Sequence, residues 1–222
     1  GLVSLILLFL AVTMRLVFLR ADPPWDFTWS QALFTDGARA VDGARSKLLF
    51  GSWITDKRSP VVLFYPLTNL LAFVIFKIGG IGLAQANLVG VLPGIGSVIA
   101  LFVLMRKLEG DIGGLAAVVT LGFTYPYVIY CRVPMVESLL VMLLLVSFML
   151  VLRAGLWTLL ASGFIVGIAS MMVKLHAVHF VVVVLIFLGM AYRYFPSTYG
   201  KALRLGIAFV FGICLSFLVW YF

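Results

Sequence analysis

Long apolar stretches separated by short polar connections make up most of the 222-residue sequence. A bilayer core about 30 Å thick requires roughly 20 predominantly apolar residues in each helix that crosses it. Seven stretches approach that length, and we predict that each of them is a transmembrane helix. They comprise residues 1–19, 83–105, 112–130, 138–152, 157–173, 177–191 and 205–222.

The composition excludes an ordinary soluble domain. Hydrophobic residues make up 64% of the chain and charged residues 11%, whereas soluble domains carry about 25% charged residues. The mean hydropathy is +1.21. We therefore predict an all-α, multi-pass membrane protein. In a soluble protein the net charge of +8 would suggest nucleic acid. Here it is better explained by topology signals and contacts to membrane lipids or phosphate groups, so no nucleic-acid partner is expected.

The connection after the first apolar stretch is unusually acidic. Residues 20–60 hold five of the eight acidic residues of the chain, which are Asp22, Asp26, Asp36, Asp42 and Asp56. The following segment, 61–78, is apolar but carries Pro66 near its start and Lys77 near its end. These two residues and the modest length favour a helix that does not cross the membrane, although charge counting alone does not exclude a crossing.

One part of this acidic loop has a helical pattern. Thr35 is a plausible N-cap, and apolar residues recur near it at spacings of three and four. They are Phe34, Ala38, Val41, Ala44 and Leu48. The opposite face is predicted to carry Asp36, Arg39, Gly43 and Lys47. An amphipathic helix of this kind is typical of the membrane interface.

Basic residues predict the orientation of the chain, because short cytoplasmic loops are enriched in lysine and arginine. Basic connections occur at 106–107, at 153 and at 193–204. If all three are cytoplasmic, the loops at 132–137 and 174–176 face outward. The acidic loop then faces outward only if segment 61–78 does not cross the membrane.

Ionisable residues on the predicted outer side are the candidates for chemistry, because charged groups at membrane depth are costly. One carboxylate could deprotonate a nucleophile while cations hold an anionic leaving group such as a phosphate. Simpler interpretations stay open. Asp36 could be a first-turn acid, Glu137 could pair with Arg132, Lys174 could extend its amine from a helix end, and His176 could serve packing. No metal-ligand set is predicted, and a divalent metal remains a possible cofactor.

Several motifs, in order along the chain, resemble those of the GT-C membrane glycosyltransferases. The similarity is greatest to the branch of protein O-mannosyltransferases and aminoarabinose transferases. The motifs are Pro23-Pro24-Trp25-Asp26-Phe27-Thr28-Trp29-Ser30, Phe34-Thr35-Asp36-Gly37-Ala38-Arg39, Gly43-Ala44-Arg45, Lys57-Arg58-Ser59-Pro60, Cys131-Arg132-Val133-Pro134-Met135-Val136-Glu137, and Gly163 and Gly167 followed by Lys174.

The resemblance implies a single transmembrane domain over residues 1–222. Residues 20–80 would form a first external loop with interfacial helices, including segment 61–78. It also implies roles for individual residues. Asp36 would be the base toward the acceptor and Glu137 the second acidic residue, with Asp26 and His176 as possible supporting residues. The cations near the donor phosphate would be Arg132, Lys174, Lys57 and Arg58.

The chain departs from the family pattern at two places. The family often has Asp-Glu where this chain has Asp36-Gly37, and Lys-Pro-Pro where it has Lys57-Arg58-Ser59-Pro60. The second acid next to Asp36 is therefore missing, and Lys57 is not followed by the two prolines of the family pattern.

The expected function is inverting transfer of a sugar from a polyprenyl-phosphate carrier to a protein, lipid or glycan acceptor. We expect a multi-pass protein of a prokaryotic plasma membrane, with its site on the external face and with further C-terminal sequence beyond this chain. The absence of a glycine-rich nucleotide-binding motif agrees with a lipid-linked donor. The alternatives are a polytopic transporter and a non-catalytic subunit with the GT-C fold.

Overall fold

The structure, a computed structural model, describes residues 1–20, 35–54, 65–194 and 199–221. Every regular element within these ranges is helical, which confirms the all-α prediction. The helices are α1 (Leu2–Leu16), α2 (Thr35–Phe50), α3 (Pro66–Gly79), α4 (Leu83–Ala117), α5 (Tyr125–Arg132), α6 (Val136–Val151), α7 (Leu156–Met172), α8 (His179–Tyr194) and α9 (Tyr199–Tyr221). A π-helix, Val118–Gly122, continues α4, and a 3-10 turn, Leu175–Val178, precedes α8.

The chain divides into two compact units, residues 1–142 and residues 143–222. The first unit contains α1 to α5 and the start of α6, and it holds both proposed acidic site residues. The second contains the rest of α6 together with α7 to α9, and it holds Lys174 and His176. The prediction of one membrane domain over the whole chain stays a prediction.

Helix α4 is a helical hairpin rather than a straight rod. Its backbone leaves the helical conformation at Glu109 and Gly110, and Gly110 has a φ of 65°. Left-handed φ values favour glycine because it has no Cβ to clash with the backbone. Beyond this turn the chain folds back, so that Gly114 lies against Phe102 and Arg106. The sequence correctly predicted two helices here, although the predicted second helix, 112–130, is interrupted at Phe123 and Thr124.

The returning chain packs closely on the first arm of the hairpin. A Cβ at Gly94 would overlap the Cys131 side chain, and one at Gly90 would overlap the Val133 carbonyl. The glycines of α4 therefore allow the end of α5 to reach its surface.

The turn of the hairpin carries an ion pair. Arg106 Nε lies 3.0 Å from Asp111 Oδ1, and the Gly1 amine lies 2.5 Å from Asp111 Oδ2. The Gly1 amine, and after it the Arg106 guanidinium, hold the pKa of the Asp111 carboxyl below its usual value. Both interactions are exposed, so they are expected to be weak.

Helices α2 and α3 share a hydrophobic cluster with the start of α4. Its buried members are Val41, Ala44, Ala72, Phe76, Ala86 and Val89. Helix α3 begins at Pro66, whose missing N–H and restricted φ suit the first position of a helix. The buried face of α2 is wider than predicted. Gly43 was expected on the polar face, but it is buried together with Ala40 and Ser46, because α2 packs against protein over more than one apolar stripe.

In the second unit, α7 and α9 pack at close range. A Cβ at Gly163 would overlap the Phe209 carbonyl, and one at Gly167 would overlap the Ser216 hydroxyl. From the opposite helix, a Cβ at Gly212 would overlap the Leu160 carbonyl. Gly163 and Gly167 form a small-xxx-small pair, a pattern that lets helix backbones approach closely.

Membrane crossing receives limited support from helix length. Within the described ranges, one helical stretch, Leu83–Gly122, is long and apolar enough to cross a bilayer, and this stretch includes the reversal at Gly110. The pair α5 and α6 meets the same criteria jointly but is bent by 111°. The other apolar stretches are only 10–17 residues long among the described residues. The prediction of seven spans is therefore not confirmed.

Candidate functional site

The candidate site is centred on the turn between α5 and α6, which brings distant parts of the first unit together. Pro134 and Met135 form this turn, and both are buried. Gly37, in the first turn of α2, lies against it. A Cβ built on Gly37 would be 3.3 Å from Pro134 Cγ and 3.8 Å from Met135 Sδ. The absence of a side chain at position 37 therefore permits the close approach of α2.

This contact concerns both acidic residues that the sequence singled out. Asp36 directly precedes Gly37, and its backbone belongs to the first turn of α2; its side chain lies outside what the structure describes. Glu137 follows Pro134 by three positions and lies in the first turn of α6. Its side chain is half-buried, and its Oε2 atom is shielded from solvent. The first turn of α2 and the segment that carries Glu137 are therefore neighbours.

Arg132 ends α5 at the same turn. Its Nη1 donates to the Met14 carbonyl at 2.5 Å, and its Nη2 donates to the Phe18 carbonyl at 3.2 Å. These carbonyls lie near the C-terminus of α1, where helical backbone acceptors lack partners and a cation is favourable. The sequence assigned Arg132 to a donor phosphate, and the structure shows that its guanidinium also fastens α5 to α1.

A groove opens beside Arg132, between α1 and α5. Its volume is about 450 Å³, within the range of sites for small ligands. It is lined by Leu10, Thr13, Met14, Val17, Phe18, Val128 and Arg132. The lining is mostly apolar, and Arg132 is its one charged residue.

Arg15 is a site residue that the sequence reasoning did not single out. It lies within the first predicted helix, residues 1–19, yet its relative exposure is 0%. It donates to the carbonyls of Ala11, Leu121 and Gly122, and its guanidinium carbon lies 5.8 Å from the centre of the Tyr127 ring. An arginine within an apolar helix was the signal that could have identified it, because such residues generally face the protein interior.

The other predicted site residues are not brought to this turn by the described contacts. Lys174 and His176 belong to the second unit, where Lys174 precedes the 3-10 turn and is half-buried while His176 is exposed. His176 contributes its backbone carbonyl, 3.0 Å from Nδ1 of His179. Asp26, Lys57 and Arg58 lie outside the described residues.

Metal binding finds no support in the part of the chain that the structure describes. No group of three or more His, Cys, Asp or Glu side chains there could hold a metal ion. The two histidine rings are 6.0 Å apart between centroids, and they have no third ligand among the described residues.

Comparison with known proteins gives no independent assignment. No family model, no curated protein and no solved structure matches this chain. The relation to the GT-C glycosyltransferases therefore rests on the sequence motifs, and the function that they imply is a proposal.

Proposed function

We propose that this chain is a GT-C-type glycosyltransferase with about seven transmembrane helices. It transfers a sugar from a polyprenyl-phosphate donor to a protein, lipid or glycan acceptor on the non-cytoplasmic face of a prokaryotic plasma membrane. The observation that carries this proposal is the contact between Gly37 and Pro134. It supports the proposal because it makes neighbours of the two segments that hold Asp36 and Glu137.

The distribution of apolar side chains supports a membrane location. Soluble monomers rarely expose large contiguous apolar patches, and here large apolar side chains are exposed on helices of both units. Examples are Leu2, Phe9, Ile112, Trp157, Val182, Ile207 and Phe217. Lipid chains would cover such side chains in a multi-pass protein, even though several of the helices are short.

In the proposed reaction, Asp36 removes a proton from the acceptor as the acceptor atom attacks the anomeric carbon of the sugar. The bond from this carbon to the phosphate oxygen breaks on the opposite side, so the configuration inverts. The polyprenyl phosphate leaves with the electron pair. Glu137 serves as the second acid at the site, where it orients the acceptor. Asp26 and His176 are possible supporting residues.

The departing phosphate requires positive charge nearby, because electrostatic stabilisation is often the largest catalytic contribution. Arg132 supplies it at the turn in this proposal, and Lys174, Lys57 and Arg58 are further cations that the sequence motifs suggest for the donor. The carbonyls of Met14 and Phe18 hold the Arg132 guanidinium in place. A charge that is fixed before the reaction costs no reorganisation during it. The apolar groove beside Arg132 supports a donor that carries a lipid chain.

Replacement of Asp36 by Asn tests the proposal. We expect wild-type chain in membranes to release polyprenyl phosphate from radiolabelled polyprenyl-phosphate hexoses in the presence of native membrane acceptors. In Asp36→Asn we expect the rate to fall by at least about 100-fold, since a positioned base contributes roughly that much or more. The donor panel should include several hexoses, because the sugar is not specified.

The matched control is Asp42→Asn, which removes another carboxylate of α2. Asp42 is exposed, and its Oδ1 lies 3.9 Å from Arg45 Nη1, so the substitution is expected to leave transfer unchanged. Equal rates for Asp36→Asn and the wild type would exclude the assigned base. An inactive wild type with every donor would argue against the enzyme as a whole.

A second candidate is a non-catalytic membrane subunit with the same fold, and one observation favours it. The acid that usually follows the aspartate in the resembled family is replaced by Gly37, and a Cβ there would already be 3.3 Å from the Pro134 ring. A carboxylate at this position would therefore require the Pro134 ring or α2 to move by a few tenths of an ångström. The same transfer assay discriminates, since a subunit of this kind would be inactive by itself.

A further inference from the structure

Arg15 makes an unusual set of contacts for a buried charge. Its guanidinium is completely buried in the last turn of α1. Nη1 donates to the Ala11 carbonyl at 2.8 Å and to the Gly122 carbonyl at 2.9 Å, while Nη2 donates to the Leu121 carbonyl at 3.1 Å. Two of these three acceptors lie more than 100 positions away in sequence. The side chain therefore joins α1 to the end of the π-helix.

The acceptors explain why a cation is stable at this position. Leu121 and Gly122 end the π-helix, and the next residues, Phe123 and Thr124, are not helical. The last carbonyls of a helix lack intrahelical partners and carry partial negative charge. The planar guanidinium presents several donors in a fixed fork, so one side chain can satisfy neighbouring carbonyls. A lysine amine would retain the charge without this geometry.

Arg15 and Arg132 act as a reciprocal pair of caps. Arg15, on α1, caps the chain just before α5 and lies over the ring of Tyr127 in α5. Arg132, at the end of α5, donates to the carbonyls of Met14 and Phe18 around the end of α1. The short helix α5 is therefore fastened to α1 at both of its ends.

The segment that follows α5 is the turn on which the first turn of α2 rests. Pro134 comes two positions after Arg132, and Gly37 contacts its ring. A displacement of α5 would carry this turn with it, because Val133 alone separates Arg132 from Pro134. Arg132, Glu137 and the first turn of α2 consequently depend on where α5 lies.

We propose that Arg15 is a positioning residue: by capping the end of the π-helix it holds α5 where Arg132 and the Pro134 turn align the transfer site. This inference rests on the proposed function for its effect on rate. The link between Arg15 and the position of α5 stands on the contacts alone. The two parts can therefore be tested by separate measurements on the same variants.

The first measurement is thiol labelling, which requires no activity. Cys131 lies in the last turn of α5 and is completely buried, whereas Cys214 is exposed. In a Cys214→Ser background of the full chain, a maleimide therefore reports the opening of α5. We expect Arg15→Gln to accelerate labelling of Cys131 by about tenfold or more, since capped backbone groups oppose local opening. Arg15→Lys is expected to give an intermediate rate, and Arg153→Gln, at an exposed arginine, the wild-type rate.

The second measurement is the steady-state rate of polyprenyl-phosphate release from the donor. We expect Arg15→Gln to lower kcat by up to about 100-fold, because misplacement of groups near the reaction by 1 Å can have that effect. KM for the donor should change little, since the lost interactions matter in the transition state. Arg15→Lys should recover part of kcat. A protein that is merely destabilised would not show a change confined to kcat.

The outcomes separate the two proposals. Unchanged Cys131 labelling in both folded Arg15 variants would overturn the cap itself. Faster labelling with unchanged kcat would overturn the positioning role, and so would a loss confined to KM. An inactive wild type would remove the proposed function, while the labelling series would still decide whether Arg15 holds α5. If Arg15→Gln does not fold, Arg15→Lys supplies both measurements.

Discussion

Different kinds of interaction stabilise the interior of each of the two compact units. In the first unit, side chains bond to the backbone of distant segments: Arg15 joins α1 to the end of the π-helix, Arg132 joins α5 to α1, and Asn69 joins α3 to α2. In the second unit, α7 and α9 approach each other directly at Gly163 and Gly212, where a backbone takes the space of a side chain. The first unit also has close glycine packing, at Gly90 and Gly94, but it adds directional polar bonds between distant segments, whereas the second unit relies on the close packing of α7 and α9.

This difference indicates which unit is suited to hold a reactive site. A hydrogen bond from a guanidinium fixes both distance and direction, so it can position a neighbouring functional group. Close packing through glycine gives dense contacts between helices but brings no ionisable group with it. The candidate acids and Arg132 belong to the first unit. The hydroxyl pair of Ser147 and Ser162, 2.7 Å apart, is a buried polar contact of the second.

The largest effect on stability is expected from a side chain placed between α7 and α9. In Gly163→Val, the new Cβ would overlap the Phe209 carbonyl, and a backbone group cannot turn away. Overpacking commonly costs about 1–3 kcal/mol, and we expect this backbone clash to cost more than about 3 kcal/mol. Thermal unfolding of the detergent-purified protein, followed by circular dichroism, measures the change.

The control for that substitution is Gly189→Ala in α8. A Cβ there meets nothing within 4 Å, and alanine is the better helix former, so stability should stay the same or rise slightly. If Gly163→Val melts at the wild-type temperature, close packing does not hold the second unit together, and the contrast between the units fails.

An intermediate effect is expected when a polar tie of the first unit is removed. Asn69 is completely buried; its Oδ1 accepts from the Ala44 N–H at 3.1 Å and its Nδ2 donates to the Tyr65 carbonyl at 3.1 Å. In Asn69→Leu these backbone groups lose a partner, at a cost of about 1–3 kcal/mol. The same unfolding measurement applies.

The comparison for this variant is Gln85→Leu. The Gln85 side chain donates to the Gly79 carbonyl at 2.9 Å, but this bond is exposed, so water can replace it. Its loss should change stability by less than about 0.5 kcal/mol. Equal destabilisation by both variants would show that burial of the polar tie is not what matters in the first unit.

The smallest effect is expected at the hairpin turn of α4, where the polar interaction is exposed. Because the pKa of Asp111 is lowered in the folded protein, its contribution to stability is present at neutral pH. It is lost below about pH 4, as the carboxylate becomes protonated. Asp111→Asn should therefore lower the melting temperature slightly at pH 7, and the difference should shrink as the pH falls to 3.

Melting temperatures of the wild type and Asp111→Asn at the two pH values check this prediction. Asp42→Asn is the reference, since the nearest Arg45 nitrogen to its carboxylate is at 3.9 Å. A difference between Asp111→Asn and the wild type that grows as the pH falls would contradict the assigned direction of the pKa.

Much of the secondary structure could be predicted from apolar runs and from the proline and glycine residues that begin or interrupt helices. Pro66 begins α3, and Glu109–Gly110 separates two helices that were predicted as two. The pattern around Thr35 predicted α2, although Gly43 was placed on the wrong face. That error has a physical cause. An apolar stripe reports where side chains avoid water, whereas a glycine can be buried on any face that another segment approaches closely.

The candidate site was predictable only in part. Motifs along the chain selected Asp36, Arg132 and Glu137, and the contact of Gly37 with Pro134 makes their segments neighbours. The bonds of Arg132 to Met14 and Phe18 had no sequence signal, because a backbone carbonyl is present at every position.

The sequence by itself determined that the chain is helical and apolar. Hydrophobic runs and the residues that break them are local properties, because helix propensity and the avoidance of water depend on the residues themselves. The sequence also determined which ionisable residues were available. The tertiary structure alone decided which of them meet: that Arg15 reaches the carbonyls of Leu121 and Gly122, and that Gly37 rests on Pro134. These pairings join residues far apart in the chain, and they arise from the reversal at Gly110 and from the packing of α5 on α1 and α4.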